Sequence, residues 1–375
     1  MKIVFTGGGT AGHIFPIIAI VREMKKIYPG GDLRLFYIGP KDEYSLTLLS
    51  QEGVEIKLIF TGKLRRYFSF KNFLDLIKIP IGIFQALFWL FVLAPDLVFS
   101  KGGYGSFPTV FAANILRIPI FLHESDSVPG LASKIESKWA LEVFTSFEKT
   151  EYFPKEKIIC VGNPIRKEIL EGDVEEAKKI FEIQGGKPVI LILGGSQGAQ
   201  SINELILSTL PDILNDFEIV HQTGRKNYQT VKLQSEALIR SEFLKKYYHP
   251  FPFLNETQLK HILALADLVV SRAGAGALFE IAACEKPAIL IPLPSAAQNH
   301  QVKNAYQFAK MGGGEVIEQK NLKPHFFLER LRYYFHRKDI LEEMKNNSLR
   351  FARPKAAQII ANYLIDYLLQ ITEKK

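Results

Sequence analysis

His13 follows the last glycine of MKIVFTGGGTAGHIFP, where Gly7, Gly8, Gly9 and Gly12 crowd behind a short β-branched and aromatic run. An imidazole exchanges protons near neutral pH, so a histidine in such a loop is a candidate base or ligand for an anion. Four more stretches carry groups of chemical use. SKGGYGSFP offers Tyr104 and Ser106, and LHESDSVPG puts His123, Glu124 and Asp126 directly after an apolar run. GGSQGA contains Ser196, and SRAGAGALFE ends on Glu280. Each stretch falls where a strand should end, which is where ligands bind in open parallel sheets. Any one could be an ordinary turn, and lone histidines such as His123 are more often structural than catalytic. Their repetition is what indicates a site.

The elements that must position these groups are readable from periodicity. Lys2 to Phe5 reads as a buried strand and Ile14 to Met24 as a helix. The glycine loop between them gathers free N–H groups and the positive end of a helix dipole, a setting that suits phosphate. Gly7, Gly9 and Gly12 satisfy G-x-G-x-x-G, but the second strand, LRLFYIG, ends at Gly39 with no acidic residue for a ribose, since Asp32 precedes it and Asp42 lies beyond the turn. No nicotinamide or flavin cofactor is expected. A second strand, glycine loop and helix follows in KPVILILGGSQGAQSINELILSTL, and strands alternate with helical patterns throughout. This is the α/β class, with parallel sheets. At 375 residues two cores are the default, and two glycine loops suggest two similar Rossmann-like domains. Gly162, Asn163 and Pro164 break the pattern, which sets expected domains at 1–163 and 164–349, with a helix in 350–375 packing back on the first.

Composition narrows the function. Cys160 and Cys284 stand far apart without metal or disulfide spacing, no D-x-D triplet or ligand cluster occurs, and no cofactor or metal is expected. The N-terminal apolar run stops at the glycines, so a cytoplasmic location is expected. The formal charge of +8 would suit nucleic acid, anionic lipid or anionic substrates. No nucleic-acid-binding pattern accompanies it. The basic charge gathers instead with phenylalanines between Lys63 and Ala94. One reading of that segment is an amphipathic helix followed by a buried one, with Ile83, Leu87, Leu90 and Phe91 in the core. The other is a patch formed by Lys63, Arg65, Arg66, Phe68, Phe70, Lys71 and Phe73 that sits on an anionic membrane. The uncharged stretch from Ile79 to Ala94 is short for a membrane-spanning helix.

Read in order, GGGTAGHIFP, KGGYGSFP, LHESDSVPG, VGNPIR, LGGSQGAQSIN, SRAGAGALFEIAA, PLP and NHQVKNA resemble the MurG glycosyltransferase family over nearly the whole chain. The resemblance implies the GT-B architecture, two Rossmann-like domains facing across a cleft. It implies inverting, metal-independent transfer of N-acetylglucosamine from UDP-N-acetylglucosamine to the 4-hydroxyl of lipid I, the undecaprenyl-pyrophosphoryl N-acetylmuramoyl pentapeptide. It further implies work at the cytoplasmic face of the cell membrane, as a peripheral protein, and leaves room for other cell-wall synthesis or division proteins as partners. On the donor side it implies roles for Thr10, Ala11 and Gly12, for Asp126, and for Arg166 and Ser196 near the diphosphate. The same side takes Leu254 near uracil, Ala275, Gly276, Ala277, Leu278 and Phe279 at a helix start, Glu280 on the ribose and Gln301 on the sugar. On the acceptor side it implies Gly9, His13, Tyr104, Ser106, His123 and Glu124. His13 is then the candidate base, or else only orients the acceptor diphosphate. Asp126 stands where some relatives carry Asn, and the sequence gives no reason for its charge. A UDP-N-acetylglucosamine 2-epimerase on the same fold is the alternative enzyme. It has no use for a lipid-facing patch.

Overall fold

A computed structural model describes residues 1–8, 11–30, 32–41, 45–63, 70–148, 152–195 and 198–373, with the side chains of residues 11, 45 and 70–74 left aside. Gly9, Thr10, Arg65, Arg66, Phe68 and Ser196 therefore lie outside the described residues, as do the side chains of Ala11, Phe70, Lys71 and Phe73.

The chain divides into two units, Met1–Arg166 with Arg353–Lys375, and Lys167–Ala352. The division falls three residues after the glycine-proline break used above, so Arg166 stands with the first unit.

The first unit is built on seven parallel strands: β1 (Lys2–Thr6), β2 (Arg34–Gly39), β3 (Glu55–Leu58), β4 (Leu97–Ser100), β5 (Ile120–Glu124), β6 (Glu142–Thr145) and β7 (Ile158–Cys160). Their order is β3-β2-β1-β4-β5-β6-β7. The direction of winding reverses between β1 and β4, and the crevice beyond their carboxyl ends is where such a sheet binds ligands. The strands are apolar on both faces because helices cover both. On one face lies α1 (Ala11–Ile27), against which the C-terminal helix, Ala356–Glu373, packs Ile360, Leu364 and Leu368. Each of these three is fully buried and contributes on the order of 1.5–3 kcal/mol. Tyr363 and Tyr367 turn their ring edges onto Phe121 and Phe144. Gly162 makes the return of the chain possible: its φ is +93°, and a Cβ there would lie 2.1 Å from the Cβ of Arg353.

On the other face, α2 (Phe70–Leu93) packs beside α3 (Phe107–Ile115). The expected pair of helices is one helix running through Pro80. Its inward face is Ala86, Leu90 and Leu93. Its outward face carries Ile77, Ile81, Phe84, Phe88 and Phe91, at alternating steps of four and three residues that make a single stripe. Phe91, expected in the core, is 77% exposed, with Phe84 at 72% and Phe88 at 59%. A helix apolar on every side does not reveal its own phase; the sheet selects the side it covers. By length and composition Asp75–Leu93 reaches what a membrane-crossing helix needs, yet its inner face belongs to this core. The preceding loop lies flat on the helix: Phe60 donates its N–H to Gln85 Oε1 at 2.7 Å, and a Cβ on Gly82 would lie 1.9 Å from the Phe60 carbonyl oxygen. Exposed Phe60 thereby joins the stripe.

The second unit repeats the plan with β8 (Val189–Leu193), β9 (Glu218–Gln222), β10 (Tyr248–Phe251), β11 (Leu268–Ser271), β12 (Ala288–Leu290) and β13 (Gly314–Val316). The order β10-β9-β8-β11-β12-β13 is parallel throughout and reverses between β8 and β11.

Candidate active site

In the first unit the groups singled out in the sequence gather beyond β1, β4 and β5. Tyr37 at the end of β2 donates its hydroxyl to the Gly7 carbonyl at 2.8 Å, and Lys101 N–H reaches the Thr6 carbonyl at 2.8 Å, so the first glycine loop and the β4 loop are tied together. His13, in the first turn of α1, lies over the second of these loops. A Cβ on Gly103 would come 2.9 Å from His13 Nε2, and the Gly103 φ of +87° admits few other residues. Gly103→Ala is expected to cost about 1–2 kcal/mol of stability from its backbone conformation alone. Denaturant titration measures it, and an unchanged midpoint would show that the turn relaxes.

Lys101 is the residue the sequence reading missed. It is buried at the end of β4, its Nζ donates to Ser125 Oγ, and Glu124 and Asp126 interact with it electrostatically. Burial lowers its pKa to about 8 against the pull of the two carboxylates. The charge of Asp126 thus has a cause, since it balances a buried ammonium. A lysine between an apolar strand and two glycines was the available signal. Burial and then Lys101 push the His13 imidazole down to about 3, so it is neutral across the physiological range rather than titrating near neutrality as an exposed imidazole would. Burial raises the Glu124 carboxyl, with Asp126 pushing the same way, and its Oε1 accepts the Asp126 N–H at 3.0 Å.

Two expected acceptor residues are buried behind the loops. His123 is fully buried, with Nε2 3.0 Å from the Gly162 carbonyl. Ser106 is fully buried and its hydroxyl faces the Gly103 carbonyl at 2.9 Å and Glu136 at 2.6 Å. Both shape the loops from behind, because side chains at the root of a strand-end loop point into the sheet layer. Tyr104 is partly exposed, with Lys63 Nζ 5.7 Å from its ring. Arg166 is buried in this unit, its guanidinium 4.1 Å over the Phe15 ring.

In the second unit the loop after β8 turns through Gly195 (φ +84°) and Gly198 (φ +78°). The Ala275–Ala283 helix starts after Gly274 with no side-chain cap, and a Cβ on Gly274 or Gly276 would meet nothing within 4 Å. An uncapped helix start opening on free space is suited to a diphosphate. Leu278 and Phe279 are buried, and the Leu278 N–H is taken by the Gly274 carbonyl. Glu280 is half-buried two turns along. Leu254 N–H is likewise taken, by Gln222 Oε1 at 3.1 Å, while Gln222 Nε2 donates to the Gly195 carbonyl at 3.0 Å. Gln222 therefore couples the glycine loop to the loop around Leu254, and its place at the end of FEIVHQTG could have marked it. Arg272 braces the same end of the sheet by donating to the Ile291 carbonyl and Ser201 Oγ, both at 2.9 Å. Gln301 accepts the Leu293 N–H at 3.0 Å through Oε1, which aims its amide nitrogen. Gln298 and Asn299, just before it, both hold φ of +56°. Such left-handed non-glycine residues concentrate at functional loops.

The sequence matches the glycosyltransferase family 28 N-terminal domain over residues 3–145 and the family 28 C-terminal domain over residues 189–360. A Clostridium tetani protein named UDP-N-acetylglucosamine--N-acetylmuramyl-(pentapeptide) pyrophosphoryl-undecaprenol N-acetylglucosamine transferase is 36% identical over 365 residues, which cover 96% of this chain and 98% of that protein. A Treponema denticola protein of the same name is 36% identical, with 99% of each chain covered. Among solved structures, Acinetobacter baumannii MurG superposes with a TM-score of 0.72 at 24% identity, covering 97% of this chain and 99% of its own. A Neisseria meningitidis UDP-GlcNAc 2-epimerase reaches 0.68 at 16% identity over 98% of this chain and 100% of its own, which shows how widely the fold is shared. With full-length relatives at that identity and both family domains in order, this chain belongs to glycosyltransferase family 28 and, within it, to the MurG family.

Proposed function

We infer that the chain transfers N-acetylglucosamine from UDP-N-acetylglucosamine to the 4-hydroxyl of lipid I, with inversion and without a metal. The observation that carries this is the full-length 36% identity to enzymes named for that transfer. The two glycine-loop sites supply the chemistry. In the second unit, the uncapped helix start receives the donor diphosphate and stabilises the charge of the departing UDP. In the first, neutral His13 takes the proton of the acceptor hydroxyl. Burial is the main cause that holds the imidazole neutral, and the further push from Lys101 is offset when the acceptor diphosphate arrives, because an anion nearby favours the imidazolium. His13 then gains proton affinity at the moment it is needed.

The assay is transfer of labelled sugar to a lipid I analogue, with and without EDTA. Conversion of the free donor to its 2-epimer, with no transfer, would favour the epimerase reading instead. Loss of activity on chelation would overturn the metal-free mechanism.

The Glu280 carboxylate is assigned to the ribose diol, since it offers several acceptor sites to two donors. Glu280→Ala is expected to weaken UDP-N-acetylglucosamine binding by about 1–3 kcal/mol, the cost of leaving those hydroxyls unpaired. Glu280→Gln should do less harm. Calorimetric titration giving wild-type affinity for Glu280→Ala would remove the assignment.

We also propose that the first unit rests peripherally on the cytoplasmic face of the membrane through the α2 stripe and Phe60, with Lys63 contributing attraction to anionic headgroups. The exposed aromatic stripe supports this reading, because soluble surfaces seldom leave so many contiguous aromatic side chains uncovered.

A further inference from the structure

Behind the turn that carries Gly102 and Gly103 lies a carboxyl group that the mechanism above does not use. Glu136 ends the short helix α4 (Leu131–Glu136) and is fully buried. Among the described residues no cationic side chain pairs with it. Its Oε2 accepts the Ser100 hydroxyl at 2.7 Å, and Ser100 Oγ in turn accepts the Gly102 N–H at 3.0 Å. Its Oε1 lies 2.6 Å from Ser106 Oγ, which is also 2.9 Å from the Gly103 carbonyl oxygen.

The protons can be counted. Ser106 carries one hydroxyl proton, and the Gly103 carbonyl can only accept. Two oxygen-to-oxygen contacts at hydrogen-bond distance need two protons. If Ser106 donates to Gly103, the proton between Ser106 and Glu136 must sit on Glu136. With a neutral acid every bond is satisfied: Glu136 donates through Oε1 to Ser106, Ser106 donates to Gly103, and Ser100 donates to Oε2. With a carboxylate both serine hydroxyls donate to Glu136, the Gly103 carbonyl keeps only the Ser106 N–H at 3.3 Å and loses the hydroxyl from the clamp, and a charge with no cationic partner is buried near Glu124.

We propose that Glu136, held as the neutral acid, is a positioning residue that clamps the Gly102–Gly103 turn and through it sets the His13 ring. Both glycines are in left-handed conformations, and the Gly103 Cα backs directly on His13 Nε2. The clamp thus fixes the wall on which the imidazole rests. The proposal rests on the reading of His13 as the group that meets the acceptor. Burial pushes the Glu136 carboxyl up to about 7, against the two serine hydroxyls and with Glu124 adding to the rise. The titratable group that acts on it is Glu124 from β5, which interacts in turn with Asp126 and Lys101. The Ser106 hydroxyl meets it from the start of α3. A raised carboxyl pKa means that the native state binds the proton more tightly than the unfolded chain, so the clamp is complete on the acid side and loosens as pH rises through about 7.

The test compares Glu136→Gln and Glu136→Leu in the intact protein. The amide reproduces the neutral acid, with its NH2 donating to Ser106 and its carbonyl accepting from Ser100. Glu136→Gln is expected to keep wild-type turnover on the acid side of neutrality and to lack the decline that the wild type shows above it. Glu136→Leu keeps the volume but not the bonds and should lower turnover by about 10- to 100-fold with unchanged affinity for UDP-N-acetylglucosamine. Equal impairment of both variants, or one pH profile shared by wild type and Glu136→Gln, would overturn the proposal. The protonated carboxyl is also visible without any reaction, as a carboxylic-acid C=O infrared band of the wild type that is missing from Glu136→Gln at acid pH and fades from the wild type as pH rises. If that band is absent the proposal fails whatever the activity. If the band is present but no sugar is transferred, the transfer reading fails alone.

Discussion

His13→Ala is expected to lower the turnover number by about 10²- to 10⁴-fold, the usual contribution of a general base, with UDP-N-acetylglucosamine affinity within the wild-type range. The split follows from where the residue lies: His13 sits in the first unit beyond β1, whereas the helix start at Ala275 and Glu280 belong to the second. The pH dependence sharpens the test. With its pKa at about 3 in the free protein, the imidazole is already neutral at neutral pH and contributes no ionisation there. Any limb near neutrality in the kcat/KM profile, which reports the free protein, therefore belongs to Glu136 at about 7 or Lys101 at about 8. Occupation of the site by the acceptor diphosphate should raise the His13 pKa, a shift that NMR titration of the imidazole with a soluble diphosphate acceptor would detect. A variant with normal turnover and only a raised acceptor Michaelis constant would reduce His13 to holding the acceptor.

Replacing Phe84, Phe88 and Phe91 together by serine should abolish sedimentation with anionic vesicles. Each aromatic ring moved from water into an apolar layer is worth about 1.5–3 kcal/mol, so three of them outweigh several cations at about 1 kcal/mol each. Reversing Lys63 and Lys71 should weaken binding and steepen nothing else, and rising salt should release the wild type because the headgroup attraction is screened. Activity on a short-chain, water-soluble acceptor should survive in both variants. Sedimentation of the triple variant at the wild-type level would remove α2 from the membrane, and equal binding of the wild type to neutral and anionic vesicles would remove the basic residues from the contact. Loss of activity on the soluble acceptor would mean instead that the stripe supports the fold.

Much of this was legible in the linear chain. Glycine loops between an apolar strand and an amphipathic helix have few alternatives to the strand-loop-helix unit, because only glycine tolerates the backbone such turns require and the periodicity on either side is strong. The helix from His300 to Lys310 and the one starting at Ala356 were readable for the same reason. Roles for Glu280, His13 and Gln301 could be suggested from their motifs. Their surroundings could not, and nothing local in the sequence indicated that Ser106, His123, Leu278 and Phe279 are buried.

The sequence by itself determined the local elements, the parallel α/β class and the positions of the loops, since each depends on residues within a few places of one another. Only the tertiary structure decided which face of α2 is bare, that Lys101 lies among Glu124, Asp126 and Ser125, that His13 is neutral, and that the Glu136 carboxyl is raised by burial to about 7. Those outcomes depend on groups brought together from separate strands and helices, where burial removes water and a single missing or extra proton fixes the charge.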